Sequence, residues 1–247
     1  MSPHSVPALD LENVARRFGS RWALRGVSFR VEPGEVVVVI GHNGSGKSTL
    51  LRVAATTLRP TRGGGRVFGH DIVREANAVR GAIGMLGHAA GVYEDLTAAE
   101  NLRFALEMLG RVVRAEEIAA ALAAVGLGRE GRERVRGFSA GMHRRLALAR
   151  VKLHAPRLLL LDEPYSALDD DGVALVNALV DDTRARGGAV VIVTHDIARA
   201  RAVADRWARM DGGRLALVEG APALLPEESS SDEVLPGVAV GGGGEIV

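Results

Sequence analysis

The sequence predicts an α/β fold, with a mostly parallel central sheet flanked by helices, a peripheral antiparallel β subdomain and a helical subdomain. Three observations carry that expectation. Val36–Ile40, residues 158–161 and Ala189–Val193 are unbroken apolar runs of strand length, the pattern of strands buried on both faces of a parallel sheet. Residues 24–31 alternate apolar and polar side chains and stop at a Glu32-Pro33-Gly34 turn, as a half-exposed antiparallel strand does. From residue 97 to residue 154 the texture changes to helical spacing broken by glycines.

Each further element follows in chain order. Gly63, Gly64 and Gly65 read as a turn leading into another outer strand at Arg66, Val67 and Phe68. Thr97 and Glu100 have capping-box spacing, and Leu102, Leu106 and Leu109 follow on one helical face. Met142, Leu146, Ala149 and Leu153 form the apolar stripe of a later helix. Because apolar strands lie on both sides of this helical region, it reads as an insert in one domain spanning residues 8–220, with the helical subdomain at about 97–154. Residues 221–247 are rich in Pro, Ser, acidic residues and Gly, and a flexible tail is expected there.

Composition narrows the function classes. The 247 residues carry 31 Lys+Arg against 30 Asp+Glu, a formal net charge of +1, which argues against a nucleic-acid partner held by phosphate neutralisation. Apolar residues at 47% and charged residues at 25% match a globular chain and exclude wholesale disorder. Lys47 is conspicuous, because Lys152 is the only other lysine. Without cysteine, disulfides, thiolate metal sites and cysteine nucleophiles are excluded. No apolar run approaches the roughly 20 residues that a membrane helix needs. The first ten residues lack the basic start and apolar stretch of a signal peptide. A cytoplasmic protein is expected, reaching any membrane process from the inner face through a partner.

The chemistry begins at Gly41, His42, Asn43, Gly44, Ser45, Gly46, Lys47 and Ser48, which fit G-x-x-x-x-G-K-[ST] between a buried strand and a helix-like stretch. Glycines let backbone amides curl round phosphate oxygens, and the helix N-terminus adds partial positive charge. Lys47 would reach the β- and γ-phosphates of a nucleotide, and the Ser48 hydroxyl would hold Mg²⁺. Downstream, an apolar strand delivers Asp162 and Glu163 to its carboxyl end, where open α/β sheets bind ligands. Asp162 suits the Mg²⁺ shell and Glu163 suits activation of water.

A P-loop and an acidic strand end also occur in nucleotide kinases, GTPases and helicases. Three further elements narrow the choice. Phe138-Ser139-Ala140-Gly141-Met142 opens a helix 23 residues before Asp162, counted from Ser139. Ser166-Ala167-Leu168-Asp169 follows Glu163, and His195 ends a strand 32 residues beyond it.

These ordered motifs resemble the ATP-binding subunit of an ABC transporter, a P-loop NTPase. The resemblance implies ATP and Mg²⁺ as ligands, with residues Gly41 to Thr49 (Thr49 included) cradling the nucleotide and Ser48 and Asp162 on the metal. Glu163 would be the catalytic base and His195 the switch histidine. Phe18 matches the aromatic that stacks on adenine, while Ser139, Gly141 and Asp169 match groups that meet the nucleotide across a dimer. A homodimer in the ATP-bound state and integral membrane permease subunits are therefore the expected partners. His88 stands where the family has a glutamine reaching the Mg²⁺ and water, and the resemblance makes it a catalytic candidate. Within the family, Gly87-His88-x-x-Gly91 leading to Leu96-Thr97-Ala98-x-Glu100-Asn101-Leu102 is similar to the ATP-binding subunit of the haem exporter used in cytochrome c maturation. An exporter of lipid, peptide or antibiotic is the alternative. Soluble members of the family that act on DNA or ribosomes carry long inserts or two fused cassettes and a basic surface, which this chain lacks.

Overall fold

The computed structural model describes residues 6–87, 91–166 and 168–222. The chain runs through β1 (Leu9–Phe18), β2 (Arg21–Val31), β3 (Val36–Ile40), α1 (Lys47–Ala54), β4 (Arg62–Val67), β5 (His70–Asp71), α2 (Ala76–Ala82) and β6 (Ile83–Leu86). Then come α3 (Ala98–Glu107), α4 (Ala115–Ala124), α5 (Ala140–His154) and β7 (Leu158–Asp162). It closes with α6 (Asp170–Ala185), β8 (Ala189–Val193), α7 (Ile197–Ala200), β9 (Arg206–Asp211) and β10 (Arg214–Val218).

Two sheets result. The central sheet has the order β10-β9-β3-β8-β7-β6 and is parallel except for the β9–β10 hairpin. The outer sheet, β2-β1-β4-β5, is antiparallel throughout. Period-two alternation divides the core. Val36, Val38 and Ile40 pack with Leu159, Leu161 and Ile192 against α3 to α6, whereas Val37 and Val39 pack with Leu158, Leu160 and Val191 against α1 and the outer sheet. Both faces being covered, the strands tolerate no polar residue until they end, and their apolar runs were readable for that reason.

Some elements differ from expectation. The 63–65 glycines are not a turn; they lie within β4, paired with β1 at Leu11↔Gly65 and Glu12↔Gly64. A Cβ on Gly65 would sit 2.5 Å from the Asp10 carbonyl oxygen, so the two backbones approach too closely for a side chain. Phe68 falls just outside the strand at φ 46°. Thr97 does cap α3 reciprocally with Glu100, its hydroxyl accepting from the Glu100 amide at 3.2 Å. That helix buries Leu102 and Leu106 but ends at Glu107, leaving Leu109 40% exposed. Among the described residues no helix is long and apolar enough to cross a membrane.

The register positions the chemistry. Val39 pairs with Val193, and Val193 in turn with Asp162, so the carboxyl ends of β3, β8 and β7 lie side by side at one edge.

Candidate functional site

The loop leaving β3 turns through positive φ at Gly44 (78°) and Gly46 (115°). At Gly46 a Cβ would lie 2.5 Å from the Ala23 carbonyl oxygen, so both conformation and space demand glycine. We expect Gly46→Ala to lose about 1–3 kcal/mol of stability through backbone strain, together with nucleotide affinity. Thermal melts and nucleotide titrations at equal protein concentration check both, and an unchanged melting temperature would contradict the strain.

Lys47 opens α1, and its buried ammonium donates to the carbonyls of Gly41 at 2.6 Å and His42 at 3.0 Å. Burial pushes its pKa below the usual lysine value, against the opposing pull of Glu163 and Asp162. The side chain is thereby folded over the loop, ready to exchange carbonyl oxygens for phosphate oxygens. Ser45 reinforces this reading, because its hydroxyl is buried without a partner. The amides of Lys47, Ser48 and Thr49 head α1, where the helix supplies no acceptor. His42 points away, its Nδ1 at 2.8 Å from the Asn43 carbonyl and its Nε2 at 3.2 Å from Asp211.

Across the loop, the Ser48 hydroxyl donates to Asp162 Oδ1 at 3.1 Å, and Asp162 is buried. One hydroxyl and one carboxylate form the sparse set of hard oxygens that Mg²⁺ takes when phosphates supply more ligands. Glu163 follows at φ 48°, a left-handed conformation costly for a residue with a Cβ. Its amide donates to the Val193 carbonyl at 2.8 Å. Its Oε2 accepts from the Thr194 hydroxyl at 3.0 Å and lies 3.0 Å from His195 Nδ1. Only 10% of the Glu163 side chain is exposed against 71% for His195, so an exposed imidazole lies against a nearly buried carboxylate.

Phe18, Asn43, Gly44, Gly46, Lys47, Ser48, Thr49, Asp162 and Glu163, with Arg21 and Ala23, line one cleft of about 360 Å³, and Gly41, His42, Ser45 and His195 are not among its lining residues. Phe18 is 48% exposed, with the Arg16 guanidinium 4.8 Å from its ring centroid. Arg21 and Ala23 escaped sequence reasoning. The hairpin register Phe18↔Arg21 brings Arg21 beside the aromatic, yet the alternating pattern becomes visible only from Leu24.

Ser139, Gly141 and Asp169 do not line this cleft. Ser139 is exposed and caps α5, its hydroxyl accepting from the Met142 amide at 3.2 Å; Gly141 lies in the first turn. Asp169 caps α6 by accepting from the Gly172 amide at 2.9 Å and pairs with Arg145 at 3.0 Å. The Gly172 amide, then Arg145, hold its carboxyl below the usual range. His88 lies outside the described residues, as do residues 223–247 of the expected tail.

Comparison with known proteins places this geometry. The family described as ABC transporter matches residues 24–166. Daunorubicin resistance ATP-binding protein DrrA3 of Streptomyces coeruleorubidus is 39% identical over 236 residues, covering 92% of this chain and 72% of that protein. Cytochrome c biogenesis ATP-binding export protein CcmA of Cupriavidus pinatubonensis is 36% identical over 220 residues, covering 89% and 92% respectively. Among solved structures, a dimeric, post-hydrolysis ATP-binding cassette bound to ADP and Pi superposes with a TM-score of 0.77 at 27% identity, covering 88% of this chain and 99% of that one.

Proposed function

The chain belongs to the ABC transporter family as an ATP-binding subunit, and from that membership we propose that it is the ATP-hydrolysing subunit of the haem exporter of cytochrome c maturation. The observation carrying the cargo is the segment from Gly87 to Leu102, with His88 in place of glutamine, read beside the CcmA relatives at 36–42% identity. Two copies sandwich ATP between the Gly41–Thr49 loop of one and Ser139 and Gly141 of the other. The dimeric neighbour supports that arrangement. The dimer acts on permease subunits from the inner face of the membrane.

The residues divide the work. Phe18 stacks on the base, while Lys47 and the α1 amides hold the phosphates against the charge they carry. Ser48 and Asp162 hold Mg²⁺, which when bound neutralises phosphate charge. Glu163, held in place by the Thr194 hydroxyl, takes the proton of the attacking water. His195, exposed at the mouth of the site and 3.0 Å from Glu163, is placed to contact a γ-phosphate oxygen and the base together. His88 takes the place of the family's glutamine as a candidate acceptor for the water.

The DrrA3 relative, at 39% identity, favours a second reading in which the cargo is an antibiotic. The two separate cleanly. We expect the chain to co-purify with membrane permease subunits whose preparation carries a haem Soret band, and its deletion to abolish covalently attached c-type cytochromes. Normal cytochromes alongside new daunorubicin sensitivity would transfer the cargo to the antibiotic class.

A further inference from the structure

Arg144, in the second turn of α5, reaches between two strand ends. Its Nη1 donates to the Gly87 carbonyl at 2.7 Å, just beyond β6. Its Nη2 donates to the Glu163 carbonyl at 2.7 Å and, more weakly, to that of Asp162 at 3.4 Å, at the end of β7. Nε is buried with no partner. The guanidinium is therefore spread across three backbone carbonyls, and among the described residues it makes no carboxylate contact. Burial lowers its pKa, against the opposing fields of Asp162 and Glu163. Such a costly placement in a chain with many exposed arginines calls for a role.

The role follows from what the fork holds. Glu163 occupies a left-handed conformation, which persists only where surrounding contacts over-determine it. Two of those contacts grip its peptide units from opposite sides: Val193 accepts from its amide, and Arg144 donates to its carbonyl. Rotation about either unit would swing the carboxylate away from Thr194 and His195. We propose that Arg144 is a positioning residue for ATP hydrolysis, its guanidinium fixing the Glu163 backbone so that the carboxylate faces the water. The same fork ties Gly87, just beyond β6, to that backbone. The proposal rests on Glu163 being the base.

The test compares Arg144→Met, Arg144→Lys and Glu163→Gln in steady-state ATPase and nucleotide-binding assays. Misplacing a reacting group by about 1 Å costs on the order of 10²-fold, so Arg144→Met should lower kcat by about that factor while KM and nucleotide affinity hold. Arg144→Lys keeps the charge and one carbonyl contact but loses the planar fork, and should stand between Met and wild type. A Met variant with wild-type kcat, a Lys variant no better than Met, or nucleotide affinity falling in step with kcat would each overturn the assignment. If the Met variant fails to fold, the Lys variant alone decides. Reduced kcat at unchanged KM supports the role, and wild-type kcat ends it. Glu163→Gln with full turnover would overturn the base and Arg144 together, whereas a dead Glu163→Gln beside a fully active Arg144→Met would overturn Arg144 alone.

Discussion

Glu163→Gln should abolish turnover while leaving Mg-ATP bound. The amide matches the carboxylate in size, and its carbonyl oxygen can still accept from Thr194, which now bonds Oε2 at 3.0 Å. Packing around this nearly buried side chain is thus preserved, and what disappears is the charge that takes the proton. General-base catalysis contributes about 10²–10⁴-fold, and the loss in kcat should fall in that range. A second consequence follows from linkage. A ligand bound only by the dimer stabilises it by about 2.7 kcal/mol at a hundred times its Kd, and without hydrolysis that stabilisation persists. Gel filtration with Mg-ATP should then show a dimer for the variant and a mixture for the wild type. Hydrolysis by the variant at near the wild-type rate would remove Glu163 from the base role.

Lys47→Ala and Ser139→Arg should each silence the protein, for different physical reasons. The first removes the buried ammonium that folds over the phosphate loop; the second places a bulky cation on an exposed helix cap outside its own cleft. Ser139→Arg also forfeits the cap, worth about 1 kcal/mol, so its melting temperature is measured beside its activity. In a mixed dimer, both lesions fall into one composite site and the other is intact. Mixing the two dead variants should therefore restore roughly half the activity per competent dimer, an order-of-magnitude expectation for independent sites. A mixture that stays dead, although both variants fold and dimerise on Mg-ATP, would sink the arrangement of two independently working shared sites.

Much of this was legible from residue order. β3, β7 and β8 announce themselves because strands covered on both faces must be apolar throughout, and Thr97 announces α3 because its cap needs Glu100 three residues on. Other strands leave no such mark. Arg206–Asp211 buries Trp207, Ala208 and Met210 but carries two arginines, and Arg214–Val218 at the sheet edge buries nothing fully. The glycines of β4 looked like a turn because their need for close backbone approach arises from β1, about fifty residues earlier in sequence.

The site divides in the same way. Gly41 to Ser48, Asp162 and Glu163 are candidates from residue type and motif spacing, whereas Thr49 and His195 enter only through the resemblance. Arg144 and Arg145 could not be told apart, being identical neighbours in a basic stretch. Successive residues on a helix point about 100° apart. Burial of Leu146 and Ala149 against the sheet sets the rotation of α5, which sends Arg144 to the carbonyls of Gly87 and Glu163 and Arg145 to Asp169. Residue type is a property of the chain, but the direction in which a helix presents it depends on packing between segments far apart in sequence, and only the tertiary structure decides it.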